Sequence, residues 1–491
     1  MGFAKSVKTS NFLKYYFHLI IALVLGVTVF FGISPVMGLT HYGVAVLAIT
    51  IPTIYLWLFV NTHWVSLLFL GLLTMTGIMS PNQVWASSLG HFSIMLVLTF
   101  SLISECLNEH GVIEQVANWF ITRKFVQGRP YAFIGMFFGA NLVIGMFMQN
   151  LALAVIFVTL TVKICDRLGL KKGDSLYNCL MLGTFWGNGV LSIASPIAKT
   201  LPNILIGLVY ANFGVQISYA TWLIIGIPFT TLMFGVIMLC IRIANPDTSV
   251  LKDAQLINQL EGQTKLSLKG KISSISMIVL VLMIVLPELL LLANILTSVA
   301  TYLVALGPTV PAIIAVIMLA VIQVPDKDGP SPVLDFTTCI TKVPFTLLLF
   351  VAAVVVMGTP LASDQTGIIT WIKNILTPIT YALPPIGLFV ILIVMAVVVT
   401  NFISNTVALT VFVSLGSAIF ANHVINPIVF AIVVTFATSM TCLTPSSTIT
   451  APLYYGPKHL KVSNILLINL VFLTFATLVL FAITPLVTFV L

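Results

Sequence analysis

The stretch PPIGLFVILIVMAVVVTNFISNTVALTVFVSLGSA, residues 384–418, decides what kind of protein this is. It carries no charge and is longer than the ~20 apolar residues that cross a bilayer core as a helix. Yet Thr400-Asn401-Phe402-Ile403-Ser404-Asn405-Thr406 breaks it near the middle. Polar backbone at such depth needs protein or water around it, so a transmembrane segment interrupted by polar residues marks a lined cavity. The rest of the chain agrees. Hydrophobic residues make up 59 % of the 491 and charged ones 7 %, against about 25 % charged in soluble domains. The mean hydropathy is +1.15. This composition specifies a multi-span integral membrane protein.

The spans are helical. Transmembrane β-barrels alternate apolar and polar residues in segments of about ten, whereas Phe17–Phe31, Gly43–Val60 and Ile465–Leu491 are long and do not alternate. The fold class is therefore all-α, with about eleven crossings near 16–38, 42–60, 64–80, 131–165, 176–212, 218–244, 272–297, 299–324, 384–418, 424–455 and 463–490. Two further regions, 89–125 and 343–377, are apolar with polar centres (Ser104, Glu105, Asn108, Glu109 and His110; Ser363, Asp364 and Gln365) and read as re-entrant hairpins. The net charge of +8 forms no patch, which excludes nucleic-acid binding. Its bases gather in short loops and in the polar stretch Asn245–Lys271, as cytoplasmic loops do. That bias puts the N-terminus inside and the C-terminus outside, with the protein in the cell membrane. Six isolated cysteines show no metal spacing, and no P-loop, paired carboxylates or nucleophile motif points to an enzyme. No cofactor or metal is expected.

The two halves echo each other about 250 residues apart. Gly111-Val112-Ile113 with Trp119 answers Gly367-Ile368-Ile369 with Trp371. Gln149-Asn150 answers Ser404-Asn405, and Ser195-Pro196 answers Thr444-Pro445. Four breaks result: Gly145–Asn150, Gly187–Pro196, Thr400–Thr406 and Thr441–Thr448. Proline removes a backbone donor and clashes with the preceding turn, and the freed carbonyls and amides can hold ions or anions. Asn, Ser and Thr add uncharged donors and acceptors. Single breaks of this kind also serve helix packing, but four paired ones point to a midplane binding site in an inverted repeat.

Ser404-Asn405-Thr406, Thr444-Pro445 and Ser195-Pro196 resemble the signatures of the divalent anion/sodium symporter (DASS) family, and the resemblance spans essentially the whole chain. It implies secondary active exchange of C4/C5 dicarboxylates such as succinate, malate, fumarate and 2-oxoglutarate by an elevator-type homodimer in the lipid bilayer. It also implies a division into N-terminal scaffold helices (1–88), a first transport repeat (89–215), scaffold helices with a cytoplasmic linker (216–340, linker 245–271), a second transport repeat (341–460) and a C-terminal span (461–491). By carry-over, Ser404, Asn405, Thr406, Thr444 and Pro445 hold one carboxylate, and Asn150, Ser195 and Pro196 the other.

One departure from the family pattern bears on coupling. The first-half motif is Gln149-Asn150-Leu151, and neither Leu151 nor Met148 offers an oxygen to a hard cation. Two helix termini, each worth roughly 0.3–2 kcal/mol to an anion, do not offset the several kcal/mol of dehydrating each charge. Lys199 is the one basic residue in or beside the four breaks. Two readings follow: its ammonium replaces a sodium ion, giving sodium-independent antiport, or it snorkels to the interface and anchors its helix. Sodium-coupled symport is the alternative. Glu288, after Pro287 in a span, belongs either at a helix end or at a dimer contact.

Overall fold

The computed structural model describes the chain except at residues 1, 62, 122, 127, 149, 197–198, 253–265, 327–328, 344, 369, 372–373, 376–383, 421–423, 445–447, 449, 456–459 and 461. Its helices run in chain order as α1 (Gly2–Gly32), α2 (His41–Phe59), α3 (His63–Met75), α4 (Pro81–Ser87), α5 (Phe92–Glu109), α6 (Val112–Ile121), α7 (Pro130–Gly145), α8 (Asn150–Arg167), α9 (Ser175–Val190), α10 (Thr200–Phe213) and α11 (Tyr219–Ala244). The second half follows with α12 (Leu268–Leu292), α13 (Thr297–Ala305), α14 (Thr309–Val321), α15 (Phe336–Lys342), α16 (Phe345–Ala362), α17 (Pro385–Thr400), α18 (Asn405–Phe420), α19 (Pro427–Thr438), α20 (Ala451–Tyr455) and α21 (Val462–Val490). One antiparallel hairpin, β1 (Gln323–Asp326) with β2 (Gly329–Pro332), pairs Val324 with Ser331.

Among the described residues, 5 helices are long and apolar enough to cross a bilayer alone, or 7 if each bent pair counts as one span. Shorter apolar helices accompany them, and of these Pro130–Gly145 and Pro385–Thr400 end at a break. α1 and α12 leave most of their side chains outward, as Phe31, Leu23, Ile275 and Ile278 illustrate. α9 and α19 are enclosed nearly all round.

Two helical hairpins are present, but not where the polar centres place them. Phe137 on α7 and Phe157 on α8 have ring centroids 5.6 Å apart. Were α7 and α8 collinear, those rings would stand roughly 30 Å apart at 1.5 Å per residue. Phe389 on α17 and Phe420 on α18 likewise meet at 6.4 Å. Residues 131–165 and 384–418 therefore fold back on themselves rather than crossing once. Region 89–125 is instead α5, itself long enough to span, turning at Gly111 into α6. In 343–377 α16 turns at Gly367, and most residues beyond Trp371 lie outside the described set. The physical reason is that a long apolar run tolerates either path. The polar residues at 104–110 end a helix; they do not line a midplane tip.

The repeat is visible in the backbone. Gly111 and Gly367, matched in sequence, both adopt left-handed φ of 67° and 64°, a region cheap only for glycine. Each turn docks on the other half. His110 Nε2 lies 2.6 Å from the Val333 carbonyl, while Thr40 donates its amide to Thr366 O at 3.1 Å and its hydroxyl to Gln365 O at 2.7 Å. At the end of α5, Lys342 Nζ pairs with Glu105 at 2.9 Å and Glu109 at 3.7 Å, joining α5 to α15.

Candidate functional site

The second tip, Asn401–Ser404, is bonded directly to the unwound segment after α19. Thr400, the last residue of α17, donates its hydroxyl to Thr438 O at 2.8 Å. Asn401 Nδ2 donates to Val397 O at 2.8 Å and to Met440 O at 2.9 Å. Asn401 Oδ1 accepts the amides of Cys442 at 2.8 Å and Leu443 at 2.9 Å. Thr444 Oγ1 returns a hydrogen bond to the Asn401 carbonyl. One buried amide thus satisfies backbone groups freed by two breaks, which the membrane interior requires of them. Ser404 and Thr406 face one another, Oγ to Oγ1 2.9 Å apart, and with Asn405 at the start of α18 they remain half-buried.

A second pair of contacts steadies the far side of this segment. The Cys442 carbonyl accepts from Tyr455 Oη at 2.9 Å and from Asn469 Nδ2 at 2.8 Å. Asn469 Oδ1 in turn accepts from Trp186 Nε1 at 2.9 Å, tying α21 to α9.

The break between α9 and α10 is held differently. Ser192 Oγ donates to Asn188 O at 2.9 Å, Trp222 Nε1 on α11 donates to Ile193 O at 2.9 Å, and Asn203 Nδ2 donates to Pro196 O at 2.6 Å. Ser195, Pro196 and Lys199 are buried. Lys199 does not snorkel: its side chain turns back along the break, and Nζ donates to Gly189 O and lies 3.5 Å from Asn188 O. Its Nζ thus sits at the C-terminal end of α9, on carbonyls of the last turn, which have no partner within the helix.

The breaks of the two halves touch. A β-carbon at Gly189 would stand 3.0 Å from Ser439 O, and one at Gly145, ending α7, would stand 3.3 Å from Ser192 Cα. The first tip therefore abuts the first break, the first break abuts the second, and the second break is bonded to the second tip. Asn150 starts α8 with its Oδ1 buried and unpartnered among the described residues, as are both side-chain amide atoms of Asn188. Pro445 and Gln149 lie outside the described residues. The sequence reading included Asn401 in a break without assigning it a role. Its signal was an Asn at the end of an apolar helix directly before a Ser-Asn-Thr.

Donor chemistry bears on sodium. The first tip offers the Asn150 amide oxygen beside the apolar Phe147, Met148 and Leu151. The second tip offers Ser404, Asn405 and Thr406, all bearing oxygen. Among the described residues no group of three or more His, Cys, Asp or Glu is arranged to hold a metal.

Paired helix breaks that meet inside an otherwise apolar helical membrane protein are an arrangement membrane transporters use. The sequence model of the citrate transporter family matches residues 45–437, and the chain belongs to that family. It is also 23 % identical, over 455 residues covering 87 % of this chain and 82 % of the relative, to the sodium-dependent dicarboxylate transporter SdcS of Staphylococcus saprophyticus. Both matches agree with the DASS resemblance carried by Ser404–Thr406.

Proposed function

We propose that this protein exchanges C4/C5 dicarboxylates (succinate, malate, fumarate and 2-oxoglutarate) across the cell membrane without sodium. Its substrate is gripped between the two tips and the two breaks. Ser404, Asn405, Thr406, Thr444 and Pro445 hold one carboxylate, and Asn150, Ser195 and Pro196 the other. The observation that carries this reading is the buried Lys199 side chain, whose Nζ donates to Gly189 O and lies 3.5 Å from Asn188 O. It is a fixed positive charge in the break, available to balance a dianion whose desolvation two helix termini cannot offset.

A covalent cation cannot leave after its substrate. The empty carrier would then move an unmatched buried charge, which costs several kcal/mol; loaded, it would not. Obligate exchange follows. Segments 89–215 and 341–460, which carry both tips and breaks, move elevator-fashion against the remainder in a homodimer, with the N-terminus cytoplasmic and the C-terminus outside.

The test is counterflow of labelled succinate in proteoliposomes preloaded or empty, with sodium replaced by choline. Full exchange without sodium, and none from empty vesicles, is the expected result. Uptake that needs sodium and no internal substrate selects the second reading, sodium-coupled symport. That reading is favoured by the name of the Staphylococcus relative and by the oxygen donors of the second tip. Citrate belongs in the substrate panel because the family is described as citrate transporters.

A further inference from the structure

Glu288 lies in the interior of α12, directly after Pro287, and is half-buried. An ionisable side chain within a membrane span is rare enough to demand a partner. Its partner is the start of a different helix: Oε1 accepts the amide of Tyr219 at 3.3 Å, and Oε2 accepts the amide of Ala220. Those are the first two residues of α11, whose own cap, Ser218, is already engaged with the Thr221 amide at 3.0 Å. Glu288 therefore satisfies two of the donors a helix start leaves open, and its negative charge sits at the positive end of the α11 dipole.

What that helix start does is the point. Tyr219 Oη donates to Asn203 Oδ1 at 3.2 Å, and Asn203 Nδ2 holds Pro196 O at 2.6 Å. One turn on, Trp222 Nε1 holds Ile193 O at 2.9 Å. At Gly226 a β-carbon would meet Ala194 O at 2.7 Å, so this face of α11 lies flush on the break. The first turns of α11 are a cradle for Ile193–Pro196, and Tyr219, Trp222 and Asn203 are all buried.

We propose that Glu288 is a positioning residue for the substrate site: a cap supplied across helices, which fixes the start of α11 and through it the unwound carbonyls of Ile193 and Pro196. It touches no substrate. The inference rests on the reading that this break grips the transported anion, and its consequence is for affinity. With the cap lost, the break keeps its sequence and its Lys199 but loses its fixed geometry.

Two measurements on the full-length protein test it. In exchange assays, Glu288→Ala is expected to raise KM for succinate about fivefold while Vmax stays within about twofold. Glu288→Gln should fall between Ala and wild type, because the amide oxygen still accepts one of the two N–H groups. In amide hydrogen exchange without substrate, Glu288→Ala should accelerate exchange at residues 219–222 and also at 192–195, and Glu288→Gln less so. Faster exchange at 219–222 alone, or an unchanged KM with lowered Vmax in both variants, overturns the positioning role. Should the protein prove not to carry dicarboxylates, the hydrogen-exchange arm still decides whether Glu288 controls the break.

Discussion

The two hairpin tips begin from matched sequences and are held in opposite ways. Gly145-Met146-Phe147-Met148-Gln149-Asn150-Leu151 aligns with Thr400-Asn401-Phe402-Ile403-Ser404-Asn405-Thr406. In the second half, Thr400 and Asn401 tie the tip to the facing break through side-chain hydrogen bonds. In the first half those positions are Gly145 and Met146, and the tip approaches Ser192 closely, a β-carbon at Gly145 standing 3.3 Å from Ser192 Cα. The second tip and break form one bonded unit. Among the described residues, the first tip meets its break at Gly145 against Ser192, and that break is held from behind by Lys199, Asn203 and Trp222. The lesson is that a duplicated fold keeps its path while dividing its labour. On the proposed function, one half supplies neutral donors and the other the Lys199 amine.

Lys199→Met attacks this contrast at its sharpest point. Leaving a buried charge without its counter-charge costs about 3–5 kcal/mol, so sodium-free succinate exchange should fall by roughly 100-fold or more in counterflow. Undiminished exchange would remove the lysine from the mechanism and with it the asymmetry of charge. The same substitution combined with Gln149→Ser and Leu151→Thr gives the first tip the Ser-Asn-Thr of the second. Sodium-dependent uptake is the expected gain, read by repeating the assay with sodium and with choline.

Next in size is Asn401→Leu, which orphans the buried Cys442 and Leu443 amides at about 1–3 kcal/mol each. Thermal unfolding in detergent should show a clear loss of stability. Met146→Ala, at the matched position of the first tip, should be far milder. Equal losses would mean that the second tip is not pinned as described.

Gly189→Ala places a β-carbon 3.0 Å from Ser439 O. Overpacking of this kind costs about 1–3 kcal/mol, and here it pushes the two breaks apart. A several-fold drop in exchange with near-normal stability is expected. Smallest of all is Glu105→Gln, at the end of α5. Its pair with Lys342 is partly exposed, with side-chain accessibilities of 41 % and 21 %, and surface pairs contribute about 0–1 kcal/mol. Unfolding should shift little and exchange not at all; a large transport defect would extend the working site to the end of α5.

Much of this was legible beforehand. Apolar length and scarcity of charge specified a helical membrane protein, because nothing else satisfies so many backbone groups without water. Paired interruptions located the breaks, since Asn, Ser, Thr and Pro are costly at that depth unless they are used. Gly111 and Gly367 marked matching positions of the two halves, and both adopt left-handed φ. The path of the chain through those breaks was not legible. Residues 131–165 and 384–418 read as single crossings, and only Phe137 against Phe157 and Phe389 against Phe420 show that each folds back. An apolar helix pays the same solvation cost whether its neighbour in sequence continues across the bilayer or returns beside it, so hydropathy carries no information on that choice. Nor could periodicity say whether Lys199 reaches outward to water or inward to Gly189, or that Glu288 caps a helix other than its own. Those outcomes depend on which unsatisfied carbonyl or amide lies nearest in space, and packing alone decides that.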